Sequence, residues 1–200
     1  MKLRGIYAIT PEAADTELLL AQVSAALAGG IALLQYRRKA HAGAQEARAL
    51  ATLCRRSGVP FIVNDSIELA LACDADGVHL GRDDGALAQA RQRLGKKLLG
   101  ASCYDSLDQA RAAVAAGADY IAFGSVFPSP TKPGAVRAPH ALFAEARTLG
   151  VPMIAIGGIT LENAPQLLQA GADGLAVISD LFDAPDIAAR ARAYGKLFRP

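Results

Sequence analysis

The chain has 200 residues, 52% hydrophobic and 20% charged, with a net charge of +2 from 21 basic and 19 acidic residues. That length and composition suit one domain with a sizeable core and exclude a disordered chain. The near balance of charge excludes a nucleic-acid or membrane surface built on charge alone, so neither partner is expected.

The N-terminus, MKLRGIYAITPEAAD, passes from basic to apolar to acidic residues. Its apolar run is too short for a signal peptide, and no stretch approaches the roughly 18 apolar residues of a membrane helix. Cys54, Cys73 and Cys103 are odd in number, far apart and without a CxxC pair. A disulfide framework and a thiolate zinc site are therefore not expected, and the chain reads as a reduced cytoplasmic protein.

Strand-length apolar runs then alternate with stretches of helical period. LRGIYAI (3–9) is followed by TELLLAQVSAALAG (16–29), where apolar residues recur at three- and four-residue spacing. Further strands are predicted at IALLQY (31–36), PFIVN (60–64), DGVHL (76–80) and KLLGA (97–101). The helix LDQARAAVAAG (107–117) leads to YIAFG (120–124), PMIAIG (152–157) and GLAVIS (174–179). Eight βα units with continuous apolar strands imply a parallel sheet covered by helices.

A repeat favours closure of that sheet. AGGIALL (28–34), CDADGVHL (73–80), AGADYIAF (116–123) and AGADGLAV (170–177) each set a small or acidic turn before a strand, at separations close to two βα units. Gly29, Gly117, Gly171 and Asp74 are expected to be the left-handed residues that end the preceding helices. Four double units predict an α/β fold of one (β/α)8 barrel over residues 1–200, with its site at the C-terminal ends of the strands. An open doubly wound sheet lacks support, because no GxGxxG opens the first βα turn.

Polar residues gather where the strands end. Gln35, Arg37 and Lys39 alternate after the second strand, so an extended chain points all three one way. Asn64-Asp65, Asp83-Asp84 and Ser102 follow the next three strands, and Pro128-Ser129-Pro130-Thr131-Lys132-Pro133-Gly134 follows the sixth. Gly157-Gly158 and Ile178-Ser179 close the last two. Arg38 and Asp83 taken alone read as solvated loop charges, and His79, inside the fourth strand, as a hydrogen-bonded structural residue. Cys103 shows no neighbour in sequence that would activate its thiol.

The face looks built for phosphate twice. Arg37, Lys39 and Lys132 are cationic donors, Arg37 the bidentate one. Asp65 and Asp84 leave adjacent strands, about 4.8 Å apart, so their carboxylates can share a cation, and Mg²⁺ beside a diphosphate fits that set. Gly157-Gly158 and Ile178-Ser179 offer backbone N–H groups for a second phosphate.

With these residues in view, the chain resembles the thiamine phosphate synthase family almost end to end. The resembling phrases are QYRRK (35–39), FIVNDSIELA (61–70), ADGVHLGRDD (75–84), GADYIAFGSVFPSPTK (117–132), IAIGGIT (154–160) and GADGLAVIS (171–179). The resemblance implies a transferase that uses Mg²⁺ and joins a hydroxymethyl-aminopyrimidine diphosphate to a hydroxyethyl-thiazole phosphate, releasing pyrophosphate. It implies that Gln35, Arg37, Lys39 and Asn64 hold the pyrimidine diphosphate, that Asp65 and Asp84 bind the metal, and that Ser102 and Lys132 contact the diphosphate. Arg37, Lys39, Lys132 and Ser102 would then act directly in catalysis. Ser129 and Thr131 would meet the thiazole phosphate, and Gly158, Ile178 and Ser179 would complete its cradle. The chain departs from the family at Ser129, where threonine is usual, at Arg82, where glutamine is usual, and at Tyr104, where histidine is common.

No Ser-His-Asp or Cys-His arrangement is needed, because the thiazole nitrogen already carries a lone pair. The resemblance and the missing base imply a dissociative step, with cationic groups stabilising the departing pyrophosphate. Residues 127–134 are expected to close over the ligands as a lid. A thiazole tautomerase would not need Asp65 and Asp84, a sugar-phosphate isomerase would want an acid/base pair on the strands, and a non-catalytic phosphate sensor would not need the metal set.

Overall fold

The computed structural model describes residues 3–12, 15–38, 43–82, 85–128 and 136–199. The first half runs β1 (Gly5–Ile9), α1 (Thr16–Ala28), β2 (Leu33–Tyr36), α2 (Ala44–Ser57), β3 (Phe61–Asn64), α3 (Ile67–Ala72), β4 (Gly77–Leu80) and α4 (Leu87–Leu94). The second runs β5 (Leu98–Tyr104), α5 (Leu107–Ala115), β6 (Tyr120–Gly124), α6 (Ala141–Glu145), β7 (Met153–Ile156), α7 (Ala164–Ala170), β8 (Gly174–Val177), α8 (Ser179–Phe182) and α9 (Ile187–Lys196). All eight predicted strands are present. They close in sequence order into a parallel barrel, β1 pairing with β8 from Gly5 and Gly174 upward.

The strand alternation creates two apolar shells. Outward residues such as Ile6, Ala8, Leu34, Val63, Val78, Ile121 and Leu175 pack beneath the helices. Inward residues, among them Tyr7, Ile9, Leu33, Ile62, Tyr120 and Ile154, fill the barrel itself. A strand buried on both faces explains why the sequence shows continuous apolar runs rather than alternation.

The repeat has a mechanical basis at the lower rim. Asp76, Asp119 and Asp173 each stand just before an even-numbered strand. Their carboxylates accept the backbone N–H of Phe61, Leu99 and Met153 at 2.8, 2.8 and 2.9 Å. Their own N–H groups donate to the carbonyls of the same three residues at 2.8, 2.7 and 2.8 Å. Each aspartate thus fastens the start of one strand to the turn before the next. The first copy has Ala32 at this place and keeps only the backbone half, Ala32 N–H to Ile6 carbonyl at 2.8 Å.

One expectation needs correcting. Gly117, Gly171 and Asp74 are left-handed, with φ of 94°, 109° and 52°, but Gly29 has φ −80° and the left-handed residue is its neighbour Gly30, at 87°. Gly29 is needed for space instead, since a Cβ there would collide with Ala191 and the Ala188 carbonyl oxygen of α9.

Candidate active site

The upper ends of the strands open into a cavity of about 1270 Å³. That volume exceeds the roughly 300–1,000 Å³ of ordinary small-molecule pockets. Of the predicted site residues, Gln35, Arg37, Asn64, Asp65 and Ser102 line it, as do Gly158, Ile178 and Ser179. Lys39, Asp84, Ser129, Thr131 and Lys132 lie outside the described residues, as does most of the expected lid.

Arg37 is positioned by its neighbour strand. The Thr10 hydroxyl, fully buried after β1, accepts from the Arg37 N–H at 2.9 Å and donates to the Arg37 carbonyl at 3.1 Å. The Thr10 N–H donates to the Gln35 carbonyl at 2.9 Å, so β1 holds both Gln35 and Arg37 by their main chain. The guanidinium lies 3.9 Å from the exposed carboxylate of Glu12, a weak pair that leaves its fork available.

Arg38 is not the solvated loop charge expected of it. Its side chain is 14% exposed and lines the cavity, and it donates to the Glu46 carboxylate at 2.9 Å. Glu46, buried on α2, also accepts from the Tyr36 hydroxyl at 2.7 Å and the Thr16 hydroxyl at 2.5 Å. Burial, and then the bond to Glu46, pushes the Tyr36 phenol well above its usual range, so it remains a donor. A buried carboxylate with three donors is well satisfied, and the network anchors the start of the β2–α2 loop.

On the next strands the backbone aims the side chains. Asp65 follows β3 with φ 63°, while its N–H donates to the His79 carbonyl at 2.9 Å. Tyr104 has φ 53°, just beyond a register shift on β5 between Ser102 and Tyr104. Such non-glycine left-handed residues gather at functional sites, and bulges re-aim side chains toward them. Tyr104 and Arg82, two departures from the expected family pattern, touch each other. The Arg82 guanidinium sits 4.7 Å from the Tyr104 ring centroid, and the Arg82 N–H donates to the Tyr104 hydroxyl at 3.2 Å.

Gly157 and Gly158 have φ of 107° and 61°, and a Cβ on either would strike Ser125 or the Pro128 carbonyl oxygen. Both glycines are required where the β7 loop meets the β6 loop. The Asn163 amide holds this turn by donating to the Gly158 carbonyl at 2.9 Å. Ser179 opens α8, whose first turn carries Asp180; that carboxylate accepts from Tyr194 at 2.6 Å and from Arg190 at 3.2 Å.

His79 is a hydrogen-bonded structural residue, as expected, but it also lines the cavity, with Nε2 2.9 Å from Ser102 Oγ. Tyr7 and Thr10 are contributions that the sequence reading missed. A metal is compatible with the set: Asp65 presents an exposed carboxylate at the cavity, and Mg²⁺ takes one or two protein carboxylates plus substrate oxygens. Among the described residues no cluster of three or more histidine, cysteine or acidic side chains forms a closed metal cage, and no helix is long and apolar enough to cross a membrane.

A family model described as thiamine monophosphate synthase matches residues 6–181. The thiamine-phosphate synthase of Aromatoleum aromaticum is 61% identical over 98% of this chain and 97% of its own. That of Thiobacillus denitrificans is 59% identical over 97% and 94%. In structure, the chain is similar to the thiamine phosphate pyrophosphorylase of Pyrococcus furiosus, with a TM-score of 0.86 and 34% identity over 98% and 96% of the two chains.

Proposed function

The chain belongs to the thiamine monophosphate synthase family, and from that premise we propose that it joins hydroxymethyl-aminopyrimidine diphosphate to hydroxyethyl-thiazole phosphate, giving thiamine phosphate and pyrophosphate. The observation that carries the reading is a single large cavity, with Arg37, Asn64, Asp65 and Ser102 on one side and the Gly158 and Ser179 turns on the other.

In this reading Gln35 and Asn64 hold the pyrimidine end, while Arg37, Lys39, Lys132 and Ser102 donate to the diphosphate. Asp65 and Asp84 would hold Mg²⁺, which when bound adds positive charge beside the leaving group. The C–O bond to the diphosphate breaks as negative charge grows on pyrophosphate, and the fixed cationic donors stabilise it without reorganising. The aminopyrimidine ring donates electrons to the carbon left behind, and the thiazole nitrogen then bonds to that carbon through its own lone pair. No side chain has to remove a proton. Ser129, Thr131 and the backbone of Gly158, Ile178 and Ser179 hold the thiazole phosphate so that its nitrogen faces the reacting carbon, the gain of proximity.

The test is incubation with both heterocycles and Mg²⁺, reading thiamine phosphate and pyrophosphate together. Equal amounts of each are expected, with none when either heterocycle is left out. Release of pyrophosphate without thiamine phosphate, or conversion of the thiazole alone, would sink the reading.

A further inference from the structure

A run of hydrogen bonds passes beneath the cavity, and the proposed chemistry uses only its two ends, Gln35 and Ser102. Gln35 Nε2 donates to the Tyr7 hydroxyl at 2.8 Å. The Tyr7 and Tyr120 hydroxyls are 2.7 Å apart, and the Tyr120 hydroxyl is 3.2 Å from His79 Nδ1. His79 Nε2 completes the run 2.9 Å from Ser102 Oγ. Its members come from β2, β1, β6, β4 and β5, so the run crosses the barrel instead of following one wall. Tyr7, Tyr120, Gln35 and His79 are all buried. The Tyr120 ring stands edge-on to Tyr7 and stacks on His79, with centroids 5.8 and 5.6 Å away. Gly100 leaves the space for this: a Cβ there would overlap the Tyr120 ring and come within 2.6 Å of His79 Nδ1.

We propose that this run has one fixed polarity, from Gln35 through Tyr7, Tyr120 and His79 to Ser102, and that it presents Ser102 to the cavity as a hydrogen-bond donor. A phenol has a single proton to give. Tyr7 accepts from the Gln35 amide, and if it also accepted from Tyr120 its own buried proton would be left without an acceptor in the run, so that proton goes to Tyr120. Tyr120 in turn gives its proton to His79 Nδ1, which must carry a lone pair. The ring proton is then on Nε2 and is donated to Ser102 Oγ. Ser102 is left with its own proton for a ligand in the cavity. Burial pushes both phenols well above their usual range, so neither loses the proton this requires.

The reverse polarity has a different outcome. With the Gln35 carboxamide turned over, its oxygen would accept from Tyr7 and each later bond would reverse. Ser102 would then donate to His79 and turn only lone pairs toward the cavity, a poor arrangement beside an anion. Tyr7, Tyr120 and His79 are thus positioning residues that act through Ser102. The function proposed above enters only in the identity of the anion; the polarity stands on the geometry.

The experiment is a long-range proton–nitrogen correlation spectrum of the full chain with nitrogen-15 histidine, the His79 signals being assigned by their loss in His79→Gln. A neutral ring protonated at Nε2 is expected. Tyr7→Phe should keep that tautomer, because Tyr120 can still donate to Nδ1, whereas Tyr120→Phe should give a mixture of tautomers. A wild-type ring protonated at Nδ1, or at both nitrogens, would overturn the polarity. So would a Tyr120→Phe spectrum unchanged from wild type. Kinetics supply the second arm: Tyr120→Phe should lower kcat/KM about tenfold, the size of one lost hydrogen bond, and cause no further loss in Ser102→Ala. Additive losses would show that Tyr120 does not act through Ser102. If Tyr120→Phe fails to fold, His79→Gln takes its place in the cycle and the wild-type tautomer still decides the polarity. Protein with the expected tautomer but no synthase activity would refute the function and leave the polarity intact.

Discussion

The barrel mouth is divided into two unlike arcs. From β2 to β5 the last inward side chains are Gln35, Asn64, His79 and Ser102, all polar. From β6 round to β1 the strand residues facing the cavity are mostly apolar, Ala122, Ile154, Ile156, Ala176 and Ile9 with Ile178 after β8, while the polar groups there, such as Ser125, Thr160, Ser179, Asp180 and Arg190, come from the loops and helices beyond the strands. Both arcs have the same parallel pairing and the same outward shell under the helices. The scaffold therefore depends on residues the two arcs share, while the inward mouth is where they are free to differ. A polar arc suits a charged, metal-bound group, and an apolar arc suits flat rings whose burial gains about 25 cal/mol per Å².

The comparison breaks most readily at Asp65. Asp65→Asn keeps a residue that tolerates φ 63° but removes the charge, so kcat/KM should fall at least a hundredfold with melting temperature unchanged. Near-normal activity at limiting Mg²⁺ would remove the metal from this arc. Arg37→Lys should lower kcat/KM by about thirtyfold, because an ammonium cannot bridge two diphosphate oxygens. Equal values would make Arg37 a solvated charge, and the polar arc would end at β2.

Arg38→Met tests the support behind that arc. It leaves the buried Glu46 without its cation, and stability measured by urea titration should drop by about 2 kcal/mol. No change would mean that Tyr36 and Thr16 suffice. On the other side, Ile156→Ala should raise the KM of one heterocycle about fivefold while kcat stays close to wild type, since it removes contact area and no charge. A fall in kcat with KM unchanged would erase the division of labour between the arcs. Smallest of all is the response of Cys54 and Cys103, whose thiols are pushed up to about 12 by burial. Neither should be alkylated by iodoacetamide at pH 7 before unfolding, in wild type or in any of these variants. Labelling in one of them would show that the barrel has opened, and its activity loss would say nothing about the arcs.

The two arcs were unequally legible. Gln35, Asn64 and Ser102 stand out because a polar residue ending an apolar strand asks for a reason. Ile156 and Ala176 do not, since an apolar residue in a strand is ordinary core. Tyr7 and Tyr120 were hidden for the same cause, and they meet across 113 residues of chain, which no local pattern encodes. Gly100 was the one available signal, because glycine inside a strand marks close approach by something else. Arg38 reads as solvated because its partner Glu46 arrives from α2, and nothing marks Thr10 because its task is to hold main chain. Eight βα units were readable because each is local. Gly29 shows the limit of that: glycine said that something special happens there, and only packing against α9 said what.

The aspartate fasteners on the lower rim bear on how the chain finds its fold. Those from Asp76, Asp119 and Asp173 close loops of 15, 20 and 20 residues. Loops this short cost little entropy, so adjacent units from β3 to β8 can zip up early and independently. The copy without a carboxylate, at Ala32, lies beside β1, whose other neighbour is β8, nearly the whole chain away. That seam has the greatest loop to close. Loop entropy alone thus favours closing the β1–β8 seam last, after the neighbouring pairs have formed.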